Sequence, residues 1–184
     1  MLQAQVALSN RPTIVRQRPQ RFSGLLISSA VIRPVEQHLQ AAGRDGREQA
    51  ALLSGYVLGG KVGMVTTVLL PQTQNYLAGC HVALGTMARC FEATKRLRHF
   101  FLAQIHTHPG LWVGHSPTDD DWAICDAPGF FSIVVPYFAR QGLGNLFDGG
   151  AAVHERMPTG QWRLLPVDEV RRRFIIIPAS HHVE

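Results

Sequence analysis

Phe100-Phe101-Leu102-Ala103-Gln104-Ile105-His106-Thr107-His108-Pro109, followed shortly by Gly114-His115-Ser116-Pro117-Thr118-Asp119, is the stretch on which the reading of this chain turns. Residues 100–106 are apolar enough to predict a buried strand that runs into His106. Residues i and i+2 of a strand face the same way, so His106 and His108 can reach one ion. Ser116, Pro117 and Asp119 have the spacing of a helix start, with Ser at the N-cap, Pro at the first helical position and an acid at the third. Two imidazoles and a carboxylate are the three-ligand set of a catalytic zinc site, which keeps its fourth position open for water. Ser116 lies close enough in sequence to hydrogen-bond whatever occupies that position. A plainer reading makes Ser116 and Asp119 a capping box and the histidines surface residues. The joint spacing of all four favours the metal.

This His-x-His, seven residues, Ser, two residues, Asp pattern resembles the JAMM motif of the MPN-plus (Mov34-type) zinc isopeptidases. The motif of that family also includes an upstream glutamate, and Glu48-Gln49-Ala50-Ala51-Leu52-Leu53-Ser54-Gly55 is similar to it, with Ala51 in place of the more usual Gly. Glu36 and Glu92 lack this context. The resemblance covers roughly residues 24–165. It implies a single-domain α/β fold with a mixed, curved β-sheet flanked by helices, JAMM/MPN-like and cytidine-deaminase-like in architecture. It implies one Zn2+ held by His106, His108 and Asp119, with Glu48 and Ser116 catalytic. The implied substrate is a ubiquitin-like protein or its conjugate. Within the family the chain looks most like short bacterial members that accompany ubiquitin-like conjugation, so E1/E2-like enzymes are expected partners and a defence role is a possible setting.

Composition fits a soluble globular chain. It has 184 residues, 46% of them hydrophobic, and a mean hydropathy near zero. One domain with a substantial core is the expectation at that length. There is no 18-residue apolar run for a membrane span and no apolar segment of the secretory kind near the start. Cys80, Cys90 and Cys125 form no CxxC pair, so small buried hydrophobes in a reducing cytoplasm are expected. The net charge of +5 is uneven. Residues 1–23 carry Arg11, Arg16, Arg18 and Arg21 without an acid and predict an irregular basic arm, leaving 24–184 as the folded domain. Arg171-Arg172-Arg173 is a second cluster, expected to be a solvated face or a contact to an acidic partner. Nucleic-acid binding is disfavoured, because no aromatic interleaving or recognition motif accompanies the arginines.

Around the motif the pattern predicts alternating elements. Gly24–Ile32 reads as a strand or strand-to-helix start, 35–42 as a helix ending near Gly43, and 44–47 as the turn delivering Glu48. Ala50–Leu58 and Val62–Leu70 read as a hairpin about Gly59-Gly60-Lys61. Residues 71–79 are expected to be loop, His81–His99 an amphipathic helix, 118–125 a short helix and 130–135 a buried strand. Residues 151–155 and 161–165 should form a closing hairpin, and 174–177 a last strand.

The expected chemistry is amide hydrolysis, with Glu48 as general base and then acid and Ser116 as an oxyanion donor. Asp120 and Asp121 are expected to favour the helix N-terminus. His115 is expected at the rim of the site or directly behind the ligands, and His81, His99 and His154 as structural or exposed. Trp112 is either a groove wall or a loop anchor. Two alternatives compete: a non-catalytic MPN scaffold, and a RadC-like DNA-associated protein, whose motif usually continues Ser-Gly after the proline where this chain has Pro109-Gly110-Leu111. A cytidine deaminase is disfavoured, because no His-x-Glu is followed by a Pro-Cys-x-x-Cys.

Overall fold

The computed structural model describes residues 22–76, 79–121 and 123–179. The expected basic arm lies almost wholly outside these residues. Among the described residues, ten strands and four α-helices follow in chain order. β1 (Gly24–Ser28) runs into α1 (Ser29–Arg44), whose start is capped by the Ser28 hydroxyl accepting from the Ala30 N–H. The hairpin of β2 (Ala50–Leu58) and β3 (Val62–Leu69) turns at Gly59 and Gly60, both with positive φ. Gly55 is required by close approach, since a Cβ there would overlap the Met64 carbonyl oxygen.

Next come β4 (Thr73–Tyr76), β5 (Gly79–Val82), α2 (Leu84–Leu97), β6 (Phe100–Thr107) and α3 (Pro117–Asp121). The chain closes with β7 (Phe131–Val135), β8 (Ala152–Arg156), β9 (Trp162–Leu164), α4 (Val167–Arg173) and β10 (Phe174–Ile177). Eight strands form one mixed sheet in the order β10-β1-β3-β2-β6-β7-β8-β9, and β4 and β5 pair as a separate ribbon. The result is a curved mixed sheet flanked by helices.

The sheet separates two cores. Leu25, Ile27, Leu39, Leu102, Ala103, Ile105 and Ile133 pack in the first, together with residues of α1. Leu52, Met87, Cys90, Phe101 and Phe130 pack in the second, together with residues of α2. β6 is buried from Phe101 to Thr107, which is why it reads as a continuous apolar run. A register shift against β2, which leaves Leu102 as the extra residue, lets consecutive residues Leu102 and Ala103 serve the same core. Beyond the shift, strict alternation puts Ala103 and Ile105 in the first core and leaves Gln104 and His106 for the opposite face.

Several expectations are corrected. The segment 71–79, read as loop, contains β4, and His81 lies in β5 rather than in a helix; α2 starts only at Leu84. Strand pairing of Gln74 with His81 and Thr73 with Val82 overrides the helical periodicity there. α3 is shorter than expected and ends at Asp121. α4 is an element the sequence pattern does not predict, although two acids open it and three arginines close it. Of the three arginines, Arg171 and Arg172 are exposed, as a solvated face would be, and Arg173 is not. Arg173 is largely buried and bonds Glu155, Glu169 and the carbonyls of Phe22 and Ser23, while Arg171 pairs with Asp148 and Asp168. Among the described residues no helix is long and apolar enough to cross a membrane.

Candidate metal centre

β6 carries His106 at its buried end, and the His108 N–H extends the ladder by donating to the Val135 carbonyl at 2.9 Å. Both rings therefore leave the sheet on one side, with centroids 5.1 Å apart. α3 brings the acid. Asp119 Oδ1 lies 3.4 Å from His106 Nε2, and Oδ2 lies 3.4 Å from His108 Nε2. One ligand atom from each of the three residues falls within 4.8 Å of the others.

The donor set fits a divalent metal on three counts. With metal–ligand bonds of about 2.0–2.1 Å, the edge of a tetrahedral shell is about 3.3–3.4 Å, and each imidazole Nε2 lies 3.4 Å from one of the two Asp119 oxygens. His106 Nε2 is buried and makes no hydrogen bond, as a nitrogen reserved for coordination would be. The His108 Nδ1–H donates to the Trp112 carbonyl at 3.0 Å, which fixes the tautomer and leaves the Nε2 lone pair directed elsewhere.

Asp119 is also a capping residue. Its Oδ2 accepts from the Ser116 N–H at 2.7 Å, and its own N–H donates to Ser116 Oγ at 3.1 Å. The capping half of the plainer reading is thus physically present, but His106 and His108 are buried rather than surface residues, and the capping box orients the carboxylate toward them. The hydroxyl of Ser116 accepts in this box and keeps its proton to donate. Burial would raise the Asp119 pKa, but His106, His108 and the Ser116 N–H outweigh it and hold the carboxyl well below the usual range. Burial likewise works against charge on His108, yet Asp119 and the Trp112 carbonyl raise its pKa.

Glu48 stands outside the three-residue group but within electrostatic reach of all of it. It is half-buried, and burial raises its pKa against the pull of His108 and His106. Its neighbour Gln49 is bonded to Thr107, between the two histidines: the Gln49 N–H donates to Thr107 Oγ1 and the Thr107 N–H to the Gln49 carbonyl, each at 3.0 Å. Beside the cluster is a cavity of about 30 Å³ lined by Ala50, His81, Val82, Gln104, His106 and Asp119, among others. That is enough for a water molecule.

The surroundings add to the sequence reading in several places. His115 is only 6% exposed in its side chain, and its Nδ1–H donates to Asp120 Oδ1 at 2.9 Å. Asp120 is therefore engaged by His115. The His115 ring lies 5.9 Å from His106, 4.7 Å from His154 and 4.5 Å from Trp162. Burial, foremost, lowers the pKa of His115, and that of His154 to about 4, so both rings are neutral at pH 7. His154, expected to be structural or exposed, belongs to this wall. His81, expected likewise, lines the cavity. Neither had ligand spacing in sequence; strand pairing brings them in. Trp112 stacks on His108 at 5.1 Å and 15° while remaining 58% exposed. Its ring also lies so close to Gly114 that a Cβ there would overlap it. The indole is therefore both an anchor and an exposed wall.

Fold and site define the class, a mixed α/β domain whose curved sheet presents a His-His-Asp group able to hold a metal ion. No model of a known protein family matches the chain. A protein of Sinorhizobium fredii that bears the name probable metalloprotease y4jG is 33% identical to it over 114 residues, covering 58% of this chain and 67% of that protein. The chain belongs to the family of that probable metalloprotease. Among solved structures, a protein from Desulfitobacterium hafniense aligns over 86% of this chain and 99% of its own, with 15% identity and a TM-score of 0.57, a likeness of fold alone. A JAB1/MPN domain protein from Archaeoglobus fulgidus aligns over 77% of this chain and 94% of its own, at 15% identity and a TM-score of 0.44, a superposition too loose to decide anything.

Proposed function

We propose that this chain is a zinc-dependent isopeptidase that removes a ubiquitin-like protein from a target or trims its precursor. The observation that carries the reading is the His106–His108–Asp119 cluster with a half-buried acid, Glu48, beside it but outside the ligand group. The substrate class comes from the motif's resemblance to the JAMM isopeptidases.

His106, His108 and Asp119 would hold the zinc. A zinc ion held there would supply Lewis acidity, enough to bring the pKa of water to about 7 and to polarise a carbonyl. Glu48 takes a proton from the attacking water as the new C–O bond forms. Ser116 Oγ–H donates to the carbonyl oxygen as it gains charge. When the C–N bond breaks, Glu48 returns the proton to the leaving amine and is restored as a carboxylate. The buried neutral rings of His115 and His154 and the indole of Trp162 keep bulk water from that side of the cluster. Leu111, 71% exposed, and Trp112 offer an apolar rim for an extended tail.

The test is cleavage of fusions in which a small ubiquitin-like protein carries a C-terminal peptide or an isopeptide-linked target. Cleavage by zinc-loaded protein that stops in chelator is the expected result. Cleavage that persists in chelator, or no cleavage of any such fusion, removes the proposal and leaves a scaffold role as the better reading.

A further inference from the structure

Tyr137, Phe138 and Ala139 have φ of 53°, 55° and 57°. Three successive residues with side chains in the left-handed region are rare, because each Cβ crowds the following carbonyl oxygen. Such strain persists only where the surroundings over-determine it. Here they do so from two sides. Toward the metal cluster, the Phe138 N–H donates to the His108 carbonyl at 2.9 Å and the Tyr137 N–H to the Gly110 carbonyl at 3.2 Å. Toward α1, Gln40 Nε2 donates to the Ala139 carbonyl and Arg140 Nη2 to the Gly43 carbonyl, each at 3.0 Å. Phe138 Cβ lies against Gly43, where any side chain would overlap it.

Gly43 leads directly to the acid. The Gly43 carbonyl also accepts from the Gly46 N–H, and the Ala42 carbonyl from the N–H groups of Asp45 and Arg47. These bonds shape the turn that delivers Glu48. One face of the left-handed turn thus grips the backbone of a metal ligand, and the other grips the base of the segment bearing the acid.

We propose that residues 137–139 form a positioning element, a left-handed bracket that sets Glu48 against the His108 end of the cluster. The inference rests on the isopeptidase reading above for the roles of those two residues. Tyr137, Phe138, Arg140 and Gln40 touch none of the reacting atoms; their backbone and polar contacts act through Glu48 and His108.

The test compares Tyr137→Val with Tyr137→Gly in the full chain. Both delete the ring, but valine's branched Cβ opposes a left-handed φ and glycine accepts it. Zinc affinity is read by competition with a chromophoric chelator, ligand geometry by the visible spectrum of the cobalt-loaded protein, and kcat and KM on the fusion substrate. The expected result is zinc held at least about tenfold more weakly in the valine variant than in the glycine variant. The cobalt spectrum of the valine variant should shift, and its kcat should fall while KM changes little. Equal losses in the two would assign the effect to the ring and overturn the proposal, as would no loss in either. Should the valine variant not fold, Arg140→Ala, at an exposed position, loosens only the Glu48 side: kcat should fall about tenfold at unchanged zinc affinity and recover in part in Arg140→Lys. An unchanged kcat overturns the bracket. If the unmodified protein cleaves no fusion, the zinc and cobalt readings of the Tyr137 pair, or of Gly43→Ala, which pushes on the bracket from the α1 side, still decide this inference independently of the isopeptidase reading.

Discussion

Thr107 grips Gln49 through its backbone N–H and its hydroxyl: the N–H donates to the Gln49 carbonyl, and Oγ1 accepts from the Gln49 N–H, each at 3.0 Å. Thr107 separates the two histidines, and Gln49 follows the acid. The pair therefore transmits the position of β6 to Glu48. Thr107→Val keeps the strand-favouring branched shape but leaves a buried N–H unpaired, at a cost of about 1–3 kcal/mol. Chemical denaturation should show that loss, and turnover should fall while one zinc is retained. Full turnover in a destabilised variant would restrict the pair to holding the fold.

Glu48→Gln should keep the fold and the metal while lowering turnover by at least about 100-fold, the scale of a lost acid–base group. Metal analysis and single-turnover kinetics on the same preparation check both halves. Near-normal cleavage would mean that another acid moves the proton.

Ser116→Ala removes two things. Loss of the cap to the Asp119 N–H costs about 1 kcal/mol of stability. Loss of the hydroxyl proton costs about 2.7–4 kcal/mol in the transition state. Turnover should therefore drop far more than stability does, and equal losses in both would confine Ser116 to capping.

The cluster of Glu155, Glu169, Arg163 and Arg173 sets a pH dependence of stability. Hydrogen bonds from Arg163 lead in lowering the Glu169 pKa to about 2. Burial raises that of Glu155, but Arg173 and Arg163 outweigh it and the net shift is downward. Folded values below the unfolded ones mean that the stabilisation is present above about pH 4.5 and is lost as pH falls toward about 2. Thermal midpoints should decline across that window, and Arg173→Ala should lower the midpoint by several degrees at neutral pH and flatten the decline. A variant with the same acid profile as the parent would show that these pairs are energetically idle.

What was legible in the sequence followed from short-range rules. The buried run of β6, the i, i+2 histidines and the capping spacing of Ser116 and Asp119 are local, so residues 100–119 could be read directly. The acids and arginines of α4 were a local signal too, in the order that favours a helix dipole, and were read only as charge. What stayed hidden depends on partners distant in sequence. Thr107 has no spacing that marks it as the holder of Gln49. His154 and Trp162 reach His115 through the pairing of β7, β8 and β9, and His81 reaches the cavity through the ribbon of β4 and β5. The left-handed turn at 137–139 contains no glycine to announce it.

The central claim is a zinc ion held by three named residues, and anomalous diffraction at the zinc edge from crystals of protein never exposed to chelator tests it most directly. The account predicts a single strong peak about 2.0–2.2 Å from His106 Nε2, His108 Nε2 and an Asp119 carboxylate oxygen. No peak at that position, or a peak held by other residues, would contradict it.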